Sequence, residues 1–124
     1  MVDFKNGILY KLKKSPMITH AADLHPLLVD GEQILSEYVA ARDYIVFTTK
    51  RIIAVNVQGL SGKKVDFTSL PYSKIQVFSV ETAGNFDIDA ELEMYFSGLG
   101  KVRFEIFGAN DIKEIGKFIS NMVL

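Results

Sequence analysis

The sequence predicts a mainly β fold with an α-helical close, and three patterns carry the prediction. From Gly31 onward, runs rich in β-branched and aromatic residues alternate with turn residues, giving seven strands nearly all in meander order. Residues 86–96 alternate over eleven positions: Phe86, Ile88, Ala90, Leu92, Met94 and Phe96 on one face, Asp87, Asp89, Glu91, Glu93 and Tyr95 on the other. That period of two predicts a long antiparallel strand with an apolar face and an acidic one. Finally, Ile112, Ile115, Ile119 and Met122 recur at helical spacing, with Phe118 and Val123 beside them. Such a stripe is suited to lie on a sheet or plug a barrel end.

At 124 residues the chain is large enough to bury a core without staples. It has no cysteine, which excludes disulfides, thiolate metal sites and cysteine nucleophiles. A net charge of −1 argues against a nucleic-acid binder. No apolar run approaches the roughly 18 residues of a membrane span. The opening MVDFKNGILYKLKK places its basic residues after its apolar patch, the wrong order for a secretory signal. A cytoplasmic setting is the expectation.

In chain order, residues 1–28 read as a helical extension and residues 29–124 as the main domain. Phe4, Ile8, Leu9 and Leu12 recur at helical spacing, weakened by Gly7 and stopped at Ser15-Pro16. A second helix is expected over 18–28, with Thr19 as N-cap and a restart at Pro26. The first strand covers 34–39, and residues 40–43 make a tight turn. Strands 44–49 and 51–57 follow, the latter apolar on both sides and so central or covered. After the loop 58–62 comes a polar strand in which Val65 and Phe67 are expected to point inward. In the next strand Ile75 and Val77 point one way, Phe78 and Val80 the other, which requires a bulge or a subunit contact. Asn110 or Asp111 caps the final helix, and Gly116 within it implies a close backbone approach.

Parity registers the last hairpin. A three-residue loop sets Leu92 opposite Phe104, Met94 opposite Val102, Glu93 opposite Arg103 and Tyr95 opposite Lys101. A five-residue loop would set Glu93 against Glu105. The first register leaves Asp87, Asp89 and Glu91 without partners in their own hairpin.

The segments VDGEQI (29–34), RDYIVFTTKRIIAV (42–55), QGLSGKKV (58–65), the whole of 70–96 and DIKEI (111–115) together resemble the bacterial pleckstrin-homology-like domain family, formerly a domain of unknown function. The resemblance spans almost everything after Leu28. It implies a PH-like, partly open β-barrel of two packed antiparallel sheets capped by the C-terminal helix. It also implies self-assembly into a closed ring, commonly of five subunits, and it brings no catalytic site and no cofactor.

Eukaryotic PH domains bind phosphoinositides through a basic loop between their first two strands. The matching loop, residues 40–43, has one cation, Arg42, beside one anion, Asp43. Lys50-Arg51 and Lys63-Lys64 are the nearest basic pairs, and solvated turns explain them better than an anion site. His20 and His25 lie five apart, off the i, i+4 spacing of a helical metal site. Ser61 and Ser79 lack a nucleophile setting, and alternating strand carboxylates on a convex face do not make an acid–base pair. The chain therefore reads as a non-enzymatic interaction module that binds itself and serves as a scaffold for a protein partner. The expected interface joins Asp87, Asp89, Glu91, Phe78 and Val80 to Arg51, Lys63 and Lys64 of the next subunit. The alternative is a peripheral membrane or anionic-ligand-binding module.

Overall fold

The structure, a computed structural model, describes residues 1–5, 11–86, 88–108 and 111–124. The strands are β1 (Lys13–Lys14), β2 (Ile34–Ala40), β3 (Asp43–Thr48), β4 (Arg51–Gln58), β5 (Lys64–Pro71), β6 (Ile75–Glu81), β7 (Asp89–Phe96) and β8 (Gly100–Phe107). The helices are α1 (Ala21–Leu24) and α2 (Ile112–Val123), with 3-10 turns at His25–Leu27 and Tyr72–Lys74. β1 to β5 form one antiparallel sheet in chain order, and β6 to β8 form a second. The ladders do not close into a barrel. Leu12 joins them at one corner: its amide donates to the Glu105 carbonyl at 2.9 Å, and the Phe107 amide donates to its carbonyl at 2.8 Å.

The main core lies between the sheets. Ile45, Phe47, Ile52, Ala54 and Leu70 of the first face Leu92, Met94, Val102, Phe104 and Ile106 of the second, and α2 adds Ile112, Ile115 and Ile119. Tyr44, Val46, Ile53 and Val55 form a second cluster on the outer face of the larger sheet, covered by Leu24 of α1. The two-sided apolarity of the β4 sequence has this cause: the strand is central and also covered.

The last hairpin has the register that parity predicts, with Leu92 opposite Phe104, Glu93 opposite Arg103, Met94 opposite Val102 and Tyr95 opposite Lys101. The split faces of β6 resolve as a bulge between Ile75 and Val77. Gly116 does meet a close neighbour, since a Cβ there would lie 3.2 Å from Val80 Cγ2.

Other expectations are corrected. Of the first helix, residues 6–10 lie outside the described residues, Leu12 is bridged to β8 and Lys13–Lys14 is strand. Short helices are marginal alone, and here the edges of β2 and β8 offer the backbone its partners. The second helix shortens to Ala21–Leu24 and a 3-10 turn with Pro26 near its start, and Thr19 caps nothing. Phe86 and Ile88 are exposed because β7 begins only at Asp89. On β5 the inward face is Thr68 and Leu70, paired with Ala54 and Ile52, so Phe67 is exposed and Val65 packs on the second cluster. Met122 lies off the face of α2 that Ile119 and Val123 turn to the core, and is also exposed.

Candidate functional site

The outer face of the β6–β8 sheet carries the acidic stripe, and its charges are answered more fully than the sequence implied. Arg103 bonds Glu91 and, at 2.8 Å, Glu105. Those two glutamates stand opposite each other in the ladder, so the guanidinium separates a like-charged pair. Lys101 lies 3.9 Å from Glu93, and Lys11 lies 3.9 Å from Asp89. The expectation that Asp89 and Glu91 lack partners is therefore corrected: parity locates only directly opposed residues, whereas Arg103 reaches diagonally. Asp87 lies outside the described residues. The acidic excess persists, because Glu81 also lies on this face, opposite Glu91.

Val77 and Tyr95 lie opposite each other on the same face, 65% and 46% exposed. They line a concave patch of about 380 Å³ with Ser79, Glu93 and Lys101 around them. Phe78 and Val80 face the other way and pack against the main core. These two are thus partly buried within their own subunit, while Val77 is the exposed apolar residue. The bulge sets this parity, and a bulge leaves no unambiguous sequence signal.

Arg51 is also internal. Its Nε and Nη2 donate to Glu32 at 2.9 Å each, Nη2 also reaches the Leu27 carbonyl at 2.7 Å, and Nη1 bonds Ser69. Glu32 takes a further bond from Thr48 at 2.6 Å. Burial pushes the Glu32 pKa up, but bonds from Arg51, Thr48 and Val29 outweigh it and hold the carboxyl below its ordinary value. Glu37 is wholly buried and accepts bonds from the Thr19 hydroxyl at 2.6 Å, the His20 amide at 3.1 Å and the His20 ring at 3.0 Å. Its pKa is likewise lowered, with burial again outweighed by these bonds. His20 stacks on Tyr44 at 3.8 Å. Two buried carboxylates thus clasp the segment that carries Leu24 over the second cluster. Sequence reading missed both, because the groups that satisfy them, Thr19 and His20 for Glu37 and Arg51 for Glu32, lie 17 to 19 positions away in the chain.

Lys63 and Lys64 are exposed at the head of β5. The fold brings Lys63 beside the β2–β3 turn, where Arg42, His20, Asp23, Asp43 and Tyr44 help line a concavity of about 630 Å³. Arg42 lies against Gly62, with Nη1 3.9 Å from where a Cβ would stand. Asp43 is partly engaged, accepting from the Val57 amide at 2.9 Å and from Asn56 at 3.1 Å. Two cations and two carboxylates therefore share this site.

The family model described as bacterial PH domain matches residues 3–123. This chain belongs to the bacterial PH domain family. The match includes most of the amino-terminal segment, consistent with Leu12 lying in the main core. The uncharacterised Bacillus subtilis (strain 168) protein YjqA is 43% identical over 95 residues, 77% of this bacterial PH domain and 76% of that protein. YozO of the same organism is 46% identical over 74 residues, covering 60% and 64%. Among solved structures, a DUF1696 family protein with a pleckstrin-homology domain from Shewanella loihica PV-4 superposes with a TM-score of 0.79. It is 40% identical, with 92% of this chain and 98% of that one covered. A pleckstrin homology domain from Shewanella amazonensis SB2B gives a TM-score of 0.63 at 44% identity, covering 84% and 85%.

Proposed function

We propose that this bacterial PH domain is a non-catalytic interaction module that self-assembles into a ring-shaped homo-oligomer and serves there as a binding scaffold. The observation that carries the reading is the Val77–Tyr95 patch on an acidic sheet face. An exposed apolar patch rimmed by charge has the composition of an interface. The opposite sheet presents Lys63 and Lys64, so one molecule bears two unlike, complementary surfaces. A head-to-tail contact between them makes a ring when its rotation closes, and the family resemblance implies five subunits. Among the described residues no helix is long and apolar enough to cross a membrane, and a cytoplasmic setting is part of the proposal. Light scattering coupled to size exclusion tests it. The native chain should elute as one multiple of its 13.9 kDa subunit, and Val77→Glu as a monomer. A native monomer at micromolar concentration would refute the reading.

A second reading has its own observation, the meeting of Arg42 and Lys63 at one concavity. There the domain would hold a small anion or an anionic membrane surface. Sedimentation with anionic vesicles at physiological salt tests it, and vesicle binding lost in Arg42→Glu would favour it over the scaffold reading.

A further inference from the structure

The two sheets have four edges, and three are guarded. β1 is only two residues long. β5 carries Lys64 and Asp66 and ends at Pro71, and the chain's amino terminus lies on it, with the Met1 ammonium 2.7 Å from Asp66 and the Val2 amide 2.9 Å from Thr68 Oγ1. β8 is bonded by Leu12. β6 differs. Among the described residues no strand pairs with its side away from β7, and its centre, Val77-Phe78-Ser79-Val80, holds neither charge nor proline. Natural sheets guard free edges by shortness, charge, proline or cover, because unpaired N–H and C=O groups recruit another strand.

A groove of about 260 Å³ follows that edge, lined by Phe78, Ser79 and Val80 of β6 and by Lys113, Gly116 and Ser120 of α2. Inward-facing Phe78 and Val80 and outward-facing Ser79 all line it, and no residue of β7 does, so it wraps the side of β6 away from the ladder. Gly116 lets the helix lie low against Val80. The single charge in the lining is Lys113, exposed and in no ion pair among the described residues.

We propose that the free edge of β6 and the adjoining side of α2 form a docking groove for an extended acidic segment of another protein, which adds as a fourth strand to the β6–β8 sheet. Main-chain bonds to β6 supply affinity, and Lys113 selects an acidic side chain at one alternate position. A second copy of this chain fits poorly. Its acidic strand β7 is already paired on both sides, by β6 and β8, and its edge strand β5 is guarded by the amino terminus and carries Lys64 beside Asp66. This inference deepens the scaffold reading by naming its partner class, and it uses a different surface from the Val77–Tyr95 patch.

The test is selection of phage-displayed random peptides of about ten residues, long enough to span one strand, on the native protein and on Val77→Glu. Both should enrich peptides in which apolar and acidic residues alternate. A synthetic enriched peptide should slow hydrogen exchange at β6 amides, and N-methylation of its alternate residues should abolish binding. Lys113→Glu, a surface change that leaves the fold intact, should weaken it about tenfold. Enriched peptides without acidic preference, or indifferent to Lys113→Glu, would overturn the proposal. So would β6 amides that slow with protein concentration alone, since a second copy then occupies the edge. Equal binding by native protein and Val77→Glu supports docking whatever becomes of the ring, so the two readings fail separately.

Discussion

Glu32 and Glu37 are the residues on which this fold leans most heavily for its polar chemistry. Each is buried, and each has its charge met by several donors. Removing one partner of such a pair leaves an uncompensated charge in the interior. Arg51→Met should therefore destabilise the domain by about 3–5 kcal/mol. The double variant Arg51→Met/Glu32→Leu should recover much of that loss, a non-additivity that urea unfolding of the cycle measures. Both carboxyls have pKa values lowered by folding. Their contribution to stability is therefore fully present above the unfolded carboxylate pKa and is lost as pH falls through the folded values. Urea midpoints measured from neutral pH into that acid range should fall less steeply for Glu37→Gln than for the native chain.

At the scale of elements, the β7–β8 hairpin and α2 each depend on one substitution-sensitive contact. Arg103 stands between Glu91 and Glu105, which the ladder places opposite each other. Arg103→Ala should cost about 0.5–1 kcal/mol at low salt, the size of an exposed charge pair, and less at high salt. Urea unfolding at two ionic strengths checks both numbers. Gly116 has the opposite problem, too little room. A Cβ would meet Val80 at 3.2 Å, so Gly116→Leu should destabilise by about 1–3 kcal/mol through overpacking, despite leucine's better helix propensity. Truncating the neighbour in Val80→Ala/Gly116→Leu should return part of it. Those two elements were also the best read from sequence. Strict alternation fixed the faces of 90–96, parity then left one favourable register, and the isoleucine spacing placed α2.

For the whole molecule, described residues among the first 28 are part of the domain's packing. Val2 and Leu12 sit in the main core and Leu24 in the second cluster, the leucines wholly buried. Losing a buried leucine costs about 2–5 kcal/mol, against a total stability of roughly 5–15 kcal/mol. A chain beginning at Asp30 should show no cooperative thermal transition by circular dichroism.

The sequence by itself determined the fold class, the order of the seven main strands, the last register and the closing helix. Each rests on local periodicity, which backbone geometry converts directly into faces. Only the tertiary structure decided that Lys13–Lys14 is strand, that Thr68 and not Phe67 faces the main core, and that Arg51 points inward to Glu32. It also decided which side of β6 each residue takes, because a bulge inverts parity without changing composition. In all of these the outcome depends on which distant partner is within reach, such as the edge of β2 for Lys14 or Glu32 for Arg51. No window of neighbouring residues contains that information.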